Sequence, residues 1–194
     1  VCCAFRCSTC IHGTVRCTNP GPALCSRHRR GRVDRRKLHV SAMYKESGYW
    51  DTRYERERAL PEAGGHEWFG PYEDFAHLVR RQLRSGLRVL VLGCGTSSLS
   101  TDLYAEGVSP IISIDYSPIC IKEMTERNAG IPEISWMVMD ARQLKFPDKS
   151  FDLVIEKGTL DSMMVDEKDP WNITPATVNL VDEVLSEVRM SYFP

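Results

Sequence analysis

The 194-residue sequence contains no apolar run approaching the ~18 residues that cross a bilayer, and no membrane partner is expected of it. It also lacks the long apolar stretch of a secretory signal, so its eight cysteines are not read as a disulfide framework. No internal repeat or low-complexity tract is present, which leaves one domain with a substantial core. Excess charge of either sign is missing too: the formal net charge is −1, and no nucleic-acid partner is expected. A cytoplasmic location is the expectation that goes with these absences.

The near-neutral total hides an uneven distribution. Residues 1–40 carry nine Lys/Arg against Asp34 alone, and six of the cysteines: Cys2, Cys3, Cys7, Cys10, Cys17 and Cys25. Cys7 and Cys10 have C-x-x-C spacing, and Cys25 with His28 could complete a zinc site. The loop lengths match no familiar zinc module, so no metal is expected. Residues 1–40 are therefore read as a disordered, basic, Cys-rich extension, although their acid-poor composition also resembles a transit peptide. Residues 41–194 are read as the folded domain.

Within that domain, Tyr44, Tyr49, Trp50, Tyr54, Trp68 and Phe69 form an aromatic cluster in sequence. Phe75, Leu78, Val79 and Leu83 then predict one buried helix face that Gly86 ends. Strands are expected at 88–92, 111–115, 134–139 and 151–156, with helices at 97–106, from Ser117-Pro118, and from Thr174-Pro175. The last helix should bury Val178, Val181, Val184, Leu185 and Val188. Short strands rich in Val and Ile, alternating with helices, predict an α/β fold with a parallel sheet covered on both faces.

In such sheets ligands sit beyond the carboxyl ends of the strands. The first strand runs into Gly93-Cys94-Gly95, which lets backbone approach a ligand closely. A dinucleotide loop would want a third glycine where this chain has Ser98, so an NAD-dependent oxidoreductase is disfavoured. Asp115 ends the second strand, where a carboxylate can accept hydrogen bonds from both ribose hydroxyls. Asp140 follows the third strand as an acceptor beside an adenine pocket. Glu156 ends the fourth, near where a cofactor's methionine end and an acceptor would meet. Taken together, these loops favour S-adenosylmethionine as cofactor.

The segments YWDTRY at 49–54, EWFGPYEDF at 67–75, VLVLGCGTSSLS at 89–100, IDYS at 114–117, FDLVIEKGTLD at 151–161 and DPW at 169–171 resemble the class I, seven-β-strand S-adenosylmethionine methyltransferases. More narrowly, they are similar to the lysine methyltransferases that modify translation elongation factor 1 alpha. The resemblance implies a Rossmann-like sheet with flanking helices and a protein substrate. It further implies cofactor contacts from Trp50, Tyr54, Trp68, Gly93, Gly95, Asp115, Tyr116, Asp140 and Ala141, with Glu156 both at the methionine end and catalytic. Composition alone would make Trp50 and Trp68 core anchors. The family fold has seven strands and only four are legible here, so the domain is expected to be incomplete at its C-terminus. A non-catalytic cofactor- or partner-binding product and a small-molecule methyltransferase are the alternatives, and the oligomeric state is not legible.

Overall fold

The computed structural model describes Tyr44 and residues 46–59, 65–167 and 172–192. The basic Cys-rich segment and the DPW string lie outside the described residues. Four strands, β1 (Val89–Leu92), β2 (Ile111–Asp115), β3 (Ile134–Val138) and β4 (Leu153–Glu156), form one sheet in the order β3-β2-β1-β4. All three pairings are parallel, with Val89 opposite both Ile111 and Leu153. Each strand falls within a residue or two of the stretch its apolar run predicts.

Helices cover both faces, which is why β1 is apolar throughout, β4 is apolar up to its terminal Glu156, and both are buried along their length. The pleat sends Val89 and Val91 into one core and Leu90 and Leu92 into another. The first core is closed by α1 (Ser47–Arg58), the short α2 (Ala76–Val79), α3 (Leu99–Ala105) and α4 (Pro118–Arg127). The second is closed by α5 (Thr159–Met163) and α6 (Pro175–Ser191), chiefly through Leu160 and Val184.

The helix starts read from the sequence carry the expected caps. Ser117 accepts a bond from the Cys120 N–H and Thr174 from the Thr177 N–H, each with proline at the next position. Two expectations change. The helix predicted after Pro71 is broken into a 3-10 turn at Tyr72–Asp74, α2, and a second 3-10 turn at Arg80–Gln82. The break rotates Leu78 outward to 45% exposure while Phe75 and Val79 stay buried. On α6, Val184 is buried, Val181 and Val188 are partly so, and Val178 is exposed.

The chain crosses from one side of β1 to the other between β3 and β4. That reversal of strand order opens a crevice at the carboxyl ends of β1 and β4, the position at which such sheets take ligands.

Candidate cofactor cleft

The turn from β1 into α3 forms the floor of the crevice. Gly93 and Gly95 both have left-handed backbone, with φ of 54° and 51°. At Gly93 a Cβ would collide with the side chain of Thr159, whose hydroxyl bonds to the carbonyls of Leu92 (3.2 Å) and Gly93 (3.4 Å). At Gly95 a Cβ would stand 3.4 Å from the Tyr54 hydroxyl. Glycine is therefore required at Gly93 by conformation and close approach together, and at Gly95 by conformation.

Asp115 lies beside this turn. Its Oδ2 accepts from the Gly95 N–H at 3.1 Å and its Oδ1 from the Ser117 N–H at 2.9 Å. Burial pushes its pKa up to about 6, against the pull of those N–H groups, with the charge of Asp51 adding to the rise. Asp51 in turn accepts from the Ser117 hydroxyl at 2.5 Å.

From this floor the crevice divides into two lobes of about 590 and 830 Å³, and both are lined by Gly93, Asp115, Tyr116, Thr159 and Ser162. The larger lobe is completed by Tyr44, Met139, Asp140, Ala141, Arg142, Met163 and Leu180. Asp140 is not a free acceptor: Arg142 donates to both of its oxygens at 2.6–3.1 Å and holds its pKa below the ordinary aspartate value. Tyr116, 38% exposed, stands where the lobes meet.

The smaller lobe is aromatic and charged. One stripe of α1, Trp50, Arg53, Tyr54 and Glu57, makes a wall at the i, i+3, i+4, i+7 spacing of a single helix face. Trp68 and His66 face it; Trp68 lies 5.9 Å from the Trp50 ring, and His66 4.9 Å from the Trp68 ring. The guanidinium of Arg53 sits 5.1 Å from the Trp68 ring and 5.7 Å from that of Trp50, bonded to Glu57 through Nε at 2.8 Å. Glu57 also accepts from the Thr96 hydroxyl, which accepts from the His66 N–H.

The structure thus brings Trp50, Tyr54, Trp68, Gly93, Gly95, Asp115, Tyr116, Asp140 and Ala141 to one crevice. Glu156 stands apart from them. It is buried and absent from both linings, and its Oε1 accepts from the N–H groups of Thr159 and Leu160. The physical reason is the opening of α5, whose first N–H groups have no partner within the helix. The rim expected of Glu156 is formed instead by Lys157, Gly158 and Thr159. Arg53, Glu57, His66 and Ser162 were not singled out by sequence reasoning. The signal that could have found the first two is the helical spacing of Trp50, Arg53, Tyr54 and Glu57.

Cys94 and Cys120 are free and buried under the floor, and their sulfurs lie within 4.8 Å of each other and of an Asp115 oxygen. Both thiols are pushed above the ordinary cysteine pKa, which suits close-packed neutral groups.

Against known proteins, residues 89–173 match a family described as methyltransferase domain. The chain is 44% identical over 151 residues to EEF1A lysine methyltransferase 4 of Mus musculus, covering 78% of this chain and 58% of that protein. It is 37% identical over 141 residues to the eEF1A lysine and N-terminal methyltransferase of Homo sapiens, covering 72% of this chain and 19% of that one. Among solved structures, a Haemonchus contortus phosphoethanolamine N-methyltransferase 2, in complex with phosphomonomethylethanolamine and S-adenosylhomocysteine, superposes with a TM-score of 0.55 at 18% identity, over 84% of this chain and 34% of that chain. The chain spans less than two thirds of the length of these curated relatives.

Proposed function

We infer that this chain, which carries a methyltransferase domain of the class I fold, uses S-adenosylmethionine to methylate a lysine side chain of translation elongation factor 1 alpha in the cytoplasm. The observation that carries the reading is the two-lobed crevice at the β1/β4 switch, with a carboxylate at its floor and aromatic rings on one side. The names of the relatives supply the acceptor.

The residues fit the cofactor. Asp115 presents a buried carboxylate for ribose hydroxyls beside a glycine turn that permits close approach. The larger lobe, between Met139, Ala141 and Tyr116, has apolar walls for a flat base with the Asp140 carboxylate at its edge. In the smaller lobe Arg53 offers a guanidinium to a carboxylate, and Trp50, Tyr54 and Trp68 offer ring faces to a sulfonium.

Bound there, S-adenosylmethionine supplies a methyl group already activated for transfer. What remains for the protein is alignment and exclusion of water. The aromatic wall does the second. By excluding water it also strips the hydration of an entering lysine, whose ordinary pKa is ~10.4 and which attacks only as the neutral amine. The proton leaves toward solvent at the open rim. Glu156 is not assigned to that transfer, since its Oε1 accepts from the N–H groups that open α5.

Incubating the chain with elongation factor 1 alpha and S-adenosylmethionine, followed by peptide mass spectrometry, tests the reading. A cofactor-dependent methyl increment on a lysine is expected. Cofactor binding with no increment would instead make the chain a non-catalytic binding product.

A further inference from the structure

We propose that Glu67 is a positioning residue of the cleft, which as an anion clamps Trp68 into the smaller lobe through Lys157. The proposal rests on the cofactor reading above. Glu67 directly precedes Trp68, and its carboxylate collects three donors from two other segments. Oε1 accepts from the Ser98 N–H at 2.6 Å, and Oε2 accepts from the Ser97 hydroxyl at 2.8 Å and from Lys157 Nζ at 2.7 Å. Lys157 also donates to the Trp68 carbonyl at 3.0 Å, and its ammonium lies 6.0 Å from the Phe75 ring. One carboxylate therefore joins residues 65–70 to the β1–α3 turn and to the β4–α5 turn, the two segments that floor and rim the cleft.

Two features show that the segment is held and not merely resting. The Lys157 side chain is only 5% exposed, and an ammonium so enclosed requires its anion. Phe69, next in the chain, has φ of 60° and is 54% exposed, a backbone that a bulky side chain adopts only under constraint from its neighbours. Burial alone would raise the pKa of Glu67, but the bonds from Lys157, Ser98 and Ser97 hold it below the ordinary glutamate value. The same carboxylate occupies the Ser98 N–H that a phosphate would seek at a dinucleotide loop. The selection against NAD that Ser98 suggests in sequence thus has a second cause in space.

Removing the charge should release Trp68 from the lobe. Calorimetry with S-adenosylhomocysteine is expected to show Glu67→Gln binding about tenfold more weakly than the unaltered chain, the equivalent of ~1.4 kcal/mol. Glu67→Ala should lose at least as much, and acetate, which replaces the missing carboxylate, should restore binding where acetamide does not. Tryptophan emission should shift to the red in Glu67→Ala and return with acetate, which reads the clamp without any cofactor. Unaltered binding in Glu67→Gln, or a loss in Glu67→Ala that acetate restores in neither readout, would overturn the proposal. If Glu67→Ala does not fold, the isosteric Gln variant alone decides between the two outcomes. Failure of the unaltered chain to bind S-adenosylhomocysteine would sink the cofactor reading instead, and the emission response would still test the clamp.

Discussion

At pH 7 the carboxylate of Asp115 is ionised by a margin of only about one pH unit, because burial pushes its pKa up to about 6 from 3.8. This has two consequences of opposite sign. In the cofactor-free protein the raised pKa favours the protonated form, so the group's contribution to stability is full below pH ~4 and is lost as pH rises through 6. Cofactor binding runs the other way, since ribose hydroxyls donate to the ionised form. Affinity for S-adenosylhomocysteine is therefore predicted to be flat above pH ~7 and to fall as pH drops through 6, as a calorimetric titration would show. Asp115→Ala should weaken binding strongly at pH 7 and above and abolish the fall below pH 6, whereas Cys7→Ser should leave binding unchanged. Arg53→Met should weaken S-adenosylhomocysteine by about tenfold but leave 5′-methylthioadenosine, which has no carboxylate, nearly unaffected, the size expected for a charge-assisted bond. Equal losses for both ligands would remove Arg53 from the carboxylate. Asp115, Asp140 and the glycines were legible in the sequence because they end or closely follow strands. Arg53 and Glu57 were not, because a charged pair four residues apart on a helix ordinarily marks a solvated face.

Among the elements, the strands were legible and the N-terminal helix was not. A short apolar run has few alternatives in an α/β chain, and all four strands follow theirs to within two residues. Helix α1 has the sequence SGYWDTRYERER, which buries Trp50 and Tyr54 in the core with Tyr49 packed against them. Its other inward residues are polar because they face a ligand cleft, and an apolar periodicity cannot register them. The same logic explains Glu156. As the last residue of a strand it read as a cleft carboxylate, yet the α5 backbone that follows turns it inward. Glu156→Ala is predicted to lower stability by ~1–3 kcal/mol, through the N–H groups of Thr159 and Leu160 left without an acceptor. A catalytic Glu156 would instead leave the unfolding curve in place and abolish turnover.

The described residues form a parallel sheet with a core on each face and a crevice where the strand order reverses. After α6, Tyr192 makes a parallel bridge to Phe151, so the backbone leaving that helix runs alongside the approach to β4. The architecture was legible because alternation of strand and helix dictates it. The division of the crevice into a base lobe and an aromatic lobe was not, since it depends on α1 and residues 65–70 folding over the sheet from outside the repeating pattern. By the function proposed above, this crevice is shaped for S-adenosylmethionine and not for a dinucleotide. Paired calorimetric titrations with S-adenosylhomocysteine and with NADH test it most directly. Saturable one-to-one binding of S-adenosylhomocysteine, with no heat from NADH, is the predicted result; preferential binding of NADH, or no binding of S-adenosylhomocysteine, would contradict it.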